Sequence, residues 1–186
     1  MHRIPPEVLA RRSTFMPHYI SLSVADIDFE ALAQAGLKHV FIDVDGTLAA
    51  FGENIVEPRI VTALNDARTA GYITSLILAS NTRRNLDEVV RQLKPDVVMQ
   101  SSGLRFKPRR GFFTAALHAA GVTAQSSVMI GDKLIQDIWG ARTSGFTTVL
   151  VKPLGKDFIV DRIFGLRAQE RWLLERSLPH HPEHWF

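Results

Sequence analysis

The sequence contains no cysteine. Disulfide bridges, thiolate metal sites and cysteine nucleophiles are therefore excluded together. It also lacks any apolar run close to the ~20 residues that a membrane-spanning helix requires. No apolar core of a secretory signal follows the first residues, so we expect the chain to stay in the compartment where it is made.

The composition is that of a soluble globular protein. The chain has 186 residues, of which 46% are hydrophobic and 22% are charged, so it is long enough for one domain with a substantial core and is neither disordered nor fibrous. The net charge is only +3, but residues 83–110 hold eight basic and three acidic side chains. Such a segment fits an anionic partner such as phosphate, nucleic acid or acidic lipid, and it equally fits a solvated helix face.

Predicted strands and helices alternate along residues 38–151. The pattern of apolar runs and of terminating glycines and prolines predicts five strands and four helices. We expect the strands at residues 39–42, 72–79, 96–99, 127–130 and 147–151, and the helices at residues 58–70, 82–93, 110–120 and 134–144. A further short helix is expected at residues 26–35. This alternation is typical of a three-layer, doubly wound α/β fold with a parallel sheet of about five strands.

Polar side chains follow three of these strands, at the point where each strand ends. Asp43 and Asp45 come after the first strand, Ser80 and Asn81 after the second, and Asp132 after the fourth. Ligands of open α/β sheets bind outside the carboxyl ends of the strands, so we expect these side chains to form one site.

The carboxylates at this edge indicate a metal site. An Asx turn before Gly46 explains one aspartate of the Asp43–Asp45 pair but not two, and like charges so close together repel each other unless a cation or a shared proton relieves them. Oxygen ligands without histidine or cysteine suit Mg²⁺. A carboxylate beside Mg²⁺ can also attack phosphorus, which would form an aspartyl phosphate.

Four short motifs give a more specific indication. Residues 43–48 (Asp-Val-Asp-Gly-Thr-Leu) resemble the first motif of the haloacid dehalogenase (HAD) superfamily of phosphotransferases. Ser80-Asn81, Lys107-Pro108 and residues 131–137 (Gly-Asp-Lys-Leu-Ile-Gln-Asp) are similar to its second, third and fourth motifs. The four occur in the family's order, so the chain is identified as a member of this superfamily.

The resemblance extends to one branch of the superfamily. Residues 27–28, 36–38, 131–137 and 148–153 resemble the YqeG branch, which is similar to the phosphatidylglycerophosphate phosphatases of mitochondria. The resemblance covers roughly residues 17–176. It departs at Gly46, where the branch commonly has asparagine.

The resemblance implies a role for each motif residue. Asp43 would be the nucleophile and a Mg²⁺ ligand. Asp45 would be the general acid and base and would bind Mg²⁺ through its main-chain carbonyl. Asp132 would bind Mg²⁺ directly or through water, and Asp137 would orient it.

The remaining motif residues would hold the phosphoryl group. Ser80 and the backbone amide of Asn81 would bind its oxygens, and Lys107 would neutralise the charge that Mg²⁺ leaves over. Without the motif, the sequence would predict an ordinary surface position for Lys107. The Thr47 hydroxyl would brace the loop.

The intervals between motifs predict a protein without a cap domain. Residues 47–80 and 81–107 are each filled by one helix and one strand, so the site stays open to solvent and can accept a phosphate on a large substrate. Spacing alone leaves a lipid, a nucleic acid end or a protein open. With the resemblance, we expect Mg²⁺-dependent conversion of phosphatidylglycerophosphate to phosphatidylglycerol; the alternatives are a phosphatase of a nucleic acid 3′-phosphate or a sugar phosphate, and a non-catalytic binding module.

The flanking segments suggest an anionic membrane surface as a partner. We expect an N-terminal extension at residues 1–37, a catalytic core at 38–155, and a C-terminal helical extension and tail at 156–186. Residues 158–178 combine apolar positions at helical spacing with arginines, as do Ile4, Val8, Leu9, Arg11, Arg12 and Phe15; both segments could instead cover the core. We expect a phosphorylated lipid or another bulky phosphomonoester as substrate, no nucleic-acid partner, and a cytoplasmic protein that is peripheral on the inner membrane face, or on the matrix side if organellar. No oligomeric state follows from these features.

Overall fold

A computed structural model of the chain describes residues 1–3 and 14–155. Its centre is a seven-stranded sheet in the order β1-β2-β7-β6-β3-β4-β5, in which only the β1–β2 pair is antiparallel. The strands are β1 (His2–Arg3), β2 (Tyr19–Ser21), β3 (His39–Ile42), β4 (Ser75–Ser80), β5 (Val97–Gln100), β6 (Ser127–Gly131) and β7 (Thr147–Val151).

Helices connect the parallel strands. They are α1 (Phe29–Gln34), α2 (Pro58–Thr69), α3 (Asp87–Leu93), α4 (Arg110–Ala120) and α5 (Gly140–Thr143), and a π-helical turn (Leu134–Trp139) leads directly into α5. Short 3₁₀ turns lie at Val24–Asp26 and Ala124–Ser126. Sequence signals place several of the ends: Pro58 begins α2, Asp28 accepts a hydrogen bond from the Ala31 N–H at the start of α1, and Gly121 ends α4 with a φ of 66°.

Both faces of the sheet are buried, which makes the molecule three layers thick. Side chains alternate along each strand, so Val40 and Ile42 of β3 pack with the apolar side chains of α1, α2 and α3, whereas Phe41 packs with those of α4 and α5. On this second face the ring of Phe146 lies edge-on to Phe41 at 5.0 Å between centroids. Because both faces are covered, the central strands read as continuous apolar runs in the sequence.

The prediction of a parallel α/β sheet is confirmed, with seven strands instead of about five. The two additional strands are β1 and β2, which lie in the segment predicted as an N-terminal extension. Strand β2 has only three residues, which is too short to show an alternating pattern in the sequence. It forms because it pairs with β7, with Tyr19 opposite Val149 and Ser21 opposite Val151. The predicted domain boundaries at residues 38 and 155 stay predictions.

Three predicted helices differ from the observed ones. The helix expected at 82–93 begins only at Asp87, because residues 82–86 form a loop held by neighbouring strands: the Arg84 side chain binds Asp45 after β3, and Gln100 of β5 donates to the Thr82 and Arg84 carbonyls. The helix expected at 134–144 is a π-helical turn followed by α5. The helix expected at 26–35 is the 3₁₀ turn Val24–Asp26 followed by α1, and the strand expected at 72–79 spans β4, Ser75–Ser80.

No cap domain interrupts residues 14–155, because the chain between Thr47 and Ser80 holds only α2 and β4, and the chain between Asn81 and Lys107 holds only α3 and β5. Within the described ranges, no helix combines the length and the apolar character that crossing a membrane requires. The segments predicted to touch lipid or cover the core, residues 158–178 and 4–12, lie outside the described residues. Phe15, which belongs to the same prediction, is 40% exposed and stacks on Trp139 at 5.7 Å between ring centroids.

Candidate active site

The loop after β3 begins the site. The Asp43 N–H donates to the Ile130 carbonyl of β6 at 3.0 Å, which extends the ladder between the two strands by one residue and fixes Asp43 at the strand end. The chain then turns tightly, with the Leu48 N–H donating to the Val44 carbonyl and the Gly46 N–H donating to the Ala49 carbonyl. Asp43 and Asp45 are both almost fully buried as a result.

Lys107 lies at the centre of the site. Its side chain is only 1% exposed, and its Nζ contacts Asp43 Oδ1 at 2.8 Å and Asp137 Oδ1 at 2.6 Å. The other carboxylate oxygen of Asp137, Oδ2, accepts the Lys133 N–H at 3.0 Å. Asp137 therefore joins the lysine to the loop after β6, and Lys107 is not a surface residue.

Asp132 faces Asp43 across the gap between β6 and β3. One carboxylate oxygen from each of Asp43, Asp132 and Asp137 lies within 4.8 Å of the other two, and the Thr47 hydroxyl donates to Asp132 Oδ1 at 3.4 Å. Gly46 has a φ of 85°, and a Cβ at this position would lie 2.5 Å from Asp132 Oδ2. The glycine that departs from the YqeG pattern therefore leaves room for the Asp132 carboxylate.

Ser80 and Asn81 connect the end of β4 to this cluster. The Ser80 hydroxyl oxygen accepts the Thr82 N–H at 3.2 Å. The Asn81 side chain holds the backbone of Lys107 from both sides, since its Oδ1 accepts the Lys107 N–H at 2.7 Å and its Nδ2 donates to the Lys107 carbonyl at 2.9 Å. The same Nδ2 donates to Gln136 Oε1 at 3.2 Å.

Asp45 turns to a different partner. Its Oδ1 accepts hydrogen bonds from the Gly52 N–H at 3.2 Å and from Arg84 Nη2 at 2.6 Å. The structure thus separates the two aspartates of the first motif: Asp43 belongs to the lysine cluster and Asp45 to an arginine contact at its edge.

The charges of the cluster do not cancel. Burial alone would lower the pKa of Lys107, but the negative charges of Asp137 and Asp43 reverse this, and the pKa lies above its ordinary value. Burial raises the pKa of Asp137 to about 7, with Lys107 opposing the rise and Asp43 and Asp132 adding to it. The rise for Lys107 comes from its two carboxylate partners, whereas the rise for Asp137 comes first from burial.

This donor set fits a divalent cation. With all three carboxylates ionised, one lysine leaves an excess of two negative charges in a buried space, and the carboxylates of the cluster offer oxygen without imidazole or thiolate. Hard oxygen ligands of this kind suit Mg²⁺. Both oxygens of Asp137 already accept hydrogen bonds, from Lys107 and from the Lys133 N–H, so Asp137 is the member least suited to bind the ion directly.

All seven predicted site residues lie at the carboxyl edge of the sheet. The structure adds Arg84, Asn54 and Gln136, which the sequence analysis did not single out. Gln136 lies within the fourth motif, so the sequence contained a signal that could have identified it as a site residue. Arg84 was noted only as one of the eight basic residues of segment 83–110, and no sequence signal indicated its contact with Asn54, because the two are 30 residues apart in the chain and meet only when the loops after β3 and β4 pack together.

Two family models match the chain. The model described as mitochondrial PGP phosphatase matches residues 5–106, which is more than half of the chain, and a HAD-hydrolase-like model matches residues 105–155. The first contains Asp43, Asp45, Ser80 and Asn81, and the second contains Lys107, Asp132 and Asp137.

The chain is also similar to individual proteins. It is 24% identical to the probable phosphatase YqeG of Bacillus subtilis over 140 residues, which covers 75% of this chain and 78% of YqeG. It is 26% identical to the chloroplastic/mitochondrial phosphatidylglycerophosphate phosphatase 1 of Arabidopsis thaliana over 182 residues, which covers 92% of this chain and 52% of that protein. A chloroplastic phosphatidylglycerophosphate phosphatase 1 of Chlamydomonas reinhardtii is 29% identical, with 87% and 62% covered. The chain thus spans less than two thirds of the plant and algal proteins.

Solved structures share the fold. A haloacid dehalogenase-like hydrolase from Brucella suis superposes with a TM-score of 0.54 at 14% identity and covers 70% of this chain and 92% of its own. An uncharacterized protein from Listeria monocytogenes gives the same TM-score at 20% identity, with 66% and 84% covered. At these identities the superpositions show the architecture alone.

Proposed function

The chain belongs to the mitochondrial PGP phosphatase family, within the HAD phosphatases, and we propose from this premise that it hydrolyses the phosphomonoester of phosphatidylglycerophosphate through an aspartyl phosphate. The observation that carries the chemistry is the buried contact of Lys107 with Asp43 beside Asp132 and Asp137. This cluster lies at the sheet edge where α/β proteins bind their ligands.

The first half of the reaction uses the two aspartates of the β3 loop. A carboxylate oxygen of Asp43 attacks phosphorus, the bond from phosphorus to the alcohol oxygen breaks, and Asp45 gives its proton to that oxygen. Lys107 holds Asp43 and compensates charge on the phosphoryl oxygens, and the Ser80 hydroxyl donates a hydrogen bond to one of them.

The second half regenerates the enzyme. Asp45 takes a proton from water, whose oxygen attacks phosphorus and releases inorganic phosphate, and the Asp43 carboxylate is restored. Asp43, Asp132 and the main-chain carbonyl of Asp45 would hold Mg²⁺, which supplies neutralisation of phosphoryl charge when bound. Asp137 keeps Lys107 and the Asp132 loop in place.

A lipid substrate is supported by the apolar side chains around the site. Seven large hydrophobic side chains are exposed in residues 1–3 and 14–155, and five of them follow the carboxyl ends of parallel strands. We name these five the apolar edge: Leu22, Phe51, Ile55, Leu104 and Ile135.

Two members of the apolar edge are presented by well-anchored backbone. Leu104 is 77% exposed at the tip of a two-residue hairpin, in which Ser102 and Arg105 exchange backbone hydrogen bonds of 2.9 Å in both directions. Ile55 is 70% exposed between Asn54, whose side chain binds Arg84, and Val56, whose N–H donates to Gln92. Large apolar side chains held out beside an active site are suited to an interface with lipid.

The ion requirement is the first test of the proposal. We expect hydrolysis of p-nitrophenyl phosphate to require Mg²⁺ and to be inhibited by Ca²⁺, because Ca²⁺ takes more oxygen ligands at longer distances and can draw both oxygens of Asp43 away from attack. Full activity in excess chelator, or equal rates with the two ions, would contradict the mechanism. No turnover under any condition would instead favour a binding module.

The substrate is tested by measuring phosphate release from phosphatidylglycerophosphate, sugar phosphates and a 3′-phosphorylated oligonucleotide. We expect the lipid in anionic vesicles to be the preferred substrate. The double variant Leu104→Ser with Ile55→Ser should lower that rate about 30-fold or more, because each side chain loses on the order of 1–2 kcal/mol of apolar burial. The matched control is Val98→Thr, which changes an exposed apolar residue within β5.

Hydrolysis of p-nitrophenyl phosphate should be unchanged in both variants. A double variant that keeps its full lipid rate, or loses both activities equally, would argue against membrane contact at the apolar edge. Faster hydrolysis of the sugar phosphate or of the oligonucleotide would show that this compound, and not the lipid, is the preferred substrate.

A further inference from the structure

Arg84 is a charged residue of the site that the reaction above does not use. Its Nη2 donates to Asp45 Oδ1 at 2.6 Å and to the Glu53 carbonyl at 2.7 Å, and its Nη1 donates to Asn54 Oδ1. The side chain is 23% exposed. Arg84 therefore joins the loop after β4 to the loop after β3, directly beside the proposed acid.

These contacts determine which oxygen of Asp45 can act. Within the part of the chain that the structure describes, both hydrogen bonds to this carboxylate end on Oδ1, one from Arg84 and one from the Gly52 N–H. Two donors from different loops hold the carboxylate against rotation and leave Oδ2 for the transferred proton. Proton transfer requires this kind of fixed geometry, since the donor must lie within hydrogen-bond reach of the leaving oxygen.

The arginine is not placed for the best hydrogen bonding of its own groups. Its Nε is buried and has no partner among the described residues. A buried N–H donor without a partner costs stability. If Arg84 served only to stabilise the two loops, we would expect its Nε to have a hydrogen-bond partner as well. The arrangement therefore favours orientation of the Asp45 carboxylate as the role of the Arg84 side chain.

We propose that Arg84 is a positioning residue, which holds the carboxyl group of Asp45 so that its second oxygen serves the leaving group. This inference rests on the proposed function, because it assumes that Asp45 is the acid. No cap domain interrupts residues 14–155, and in this part of the chain the contact between Arg84 and Asp45 supplies the orientation from the loops of the core itself.

The test compares two substrates of similar size. p-Nitrophenyl phosphate releases a stable anion and needs little protonation, whereas phenyl phosphate releases a poor leaving group that depends on the acid. Arg84→Ala should lower kcat/KM, which reports phosphoryl transfer to Asp43 and not the hydrolysis step that both substrates share, by about 30-fold or more for phenyl phosphate and by about threefold or less for p-nitrophenyl phosphate. KM should change little on either substrate.

Two further variants separate orientation from other roles. Asn54→Ala keeps the charge of Arg84 but removes one of its anchors, so it should shift the ratio of the two rates in the same direction by a smaller factor. Arg83→Ala removes an exposed neighbouring arginine and should leave the ratio unchanged. Thermal unfolding of each variant identifies any that fails to fold, in which case Asn54→Ala carries the test.

Asp45→Asn serves as the reference for the acid. If Asp45→Asn lowers kcat/KM, which reports phosphoryl transfer to Asp43 and not the later hydrolysis step that also uses Asp45, equally for the two substrates, the assignment of the acid in the proposed function fails. If Asp45→Asn loses phenyl phosphate selectively but Arg84→Ala and Asn54→Ala do not, the inference about Arg84 is overturned and the proposed function stands. An equal loss in Arg84→Ala with a raised KM would make Arg84 a phosphate ligand, and a faster phenyl phosphate rate would make it an inhibitory contact; either result also overturns the inference.

Discussion

Lys107 shows how a single residue organises this site. It is buried with two direct carboxylate contacts, and the Asn81 side chain holds its backbone on both sides. A lysine in this position reduces the repulsion among the acids but does not remove it. The remaining negative charge makes the cluster suited to a cation.

The nucleophile provides the prediction at the residue scale. Asp43→Asn keeps the shape of the side chain and removes the attacking charge, so turnover of p-nitrophenyl phosphate should fall by at least ~10³, which corresponds to roughly 4 kcal/mol in the barrier. Without metal, the thermal unfolding midpoint should stay equal or rise, because one of three crowded charges is removed. Steady-state kinetics and a thermal melt measure the two effects.

The same melts repeated with Mg²⁺ provide the control. The wild-type protein should be stabilised by the ion and Asp43→Asn should be stabilised less, because it lacks one ligand charge. A variant that keeps more than a tenth of the wild-type turnover would rule out attack by Asp43.

At the scale of elements, the strongly patterned segments could be predicted from sequence. Helix α4 is observed as expected over residues 110–120 because Gly121 stops it, and β3 and β7 match because their apolar runs end at polar or loop residues. The segment 82–86 could not be predicted, since it has helical composition and its conformation is determined by partners 30 and more residues away, as with Arg84 and Asp45. Long-range contacts of this kind leave no local pattern in the sequence.

The pairing of β2 with β7 contains a pH-sensitive contact. The His18 N–H donates to the Thr148 carbonyl, and the Thr148 N–H donates to His18 Nδ1, each at 3.1 Å. Burial, with the nearby charges of Arg142 and Arg3 adding to it, lowers the pKa of His18 from 6.5 to about 4. Protonation at Nδ1 would place two N–H groups against each other, so the native contact requires the neutral ring.

This contact predicts a loss of stability in acid. Between pH 6.5 and 4 the unfolded chain binds a proton at His18 and the native chain does not, so the free energy of unfolding falls as the pH falls through this window. The ring is partly exposed, and after allowance for solvent screening we expect a loss of about 1–2 kcal/mol. Urea unfolding curves measured at several pH values give this quantity.

His18→Asn is the matched variant, because the Oδ1 of asparagine can accept the Thr148 N–H without titrating. The difference in unfolding free energy between wild type and His18→Asn, taken at each pH, removes the contributions of all other groups. Between pH 7.5 and pH 4, the unfolding free energy of the wild-type protein should fall by about 1–2 kcal/mol more than that of the variant. Parallel curves for the two proteins would show that His18 does not titrate in the native state as described.

For the whole molecule, one edge of the sheet carries both the chemistry and the surface features that point to lipid. The residues of the apolar edge follow the carboxyl ends of β2, β3, β5 and β6, at the same edge of the sheet as Asp43, Asp132 and Lys107. Exposed arginines lie between β5 and the first residue of α4. The basic segment of the sequence is divided by the fold: Arg91 is paired with Glu88 on α3, whereas Arg105, Arg109 and Arg110 stay exposed close to the site.

The last prediction concerns these exposed arginines. On an anionic bilayer each arginine near the surface contributes about 1 kcal/mol of attraction, which salt screens. Changing Arg109 and Arg110 to alanine should therefore lower phosphatidylglycerophosphate hydrolysis in anionic vesicles about tenfold or more at low salt, with a smaller effect as salt increases. Hydrolysis of p-nitrophenyl phosphate does not use that surface and should change little.

The control removes the same charge from the opposite edge of the sheet. Lys38 precedes β3 and Lys94 follows α3, and both are exposed, so the variant Lys38→Ala with Lys94→Asn is matched in net charge, with asparagine chosen because Lys94 has a φ of 47°. If attraction depends on where the charge lies, only the Arg109 and Arg110 variant loses lipid activity. Equal losses of lipid activity in both variants would show that only the net charge matters and not its position. A lipid rate that changes with neither mutation nor salt would show that these arginines do not contribute, and membrane contact would then depend on the apolar edge alone.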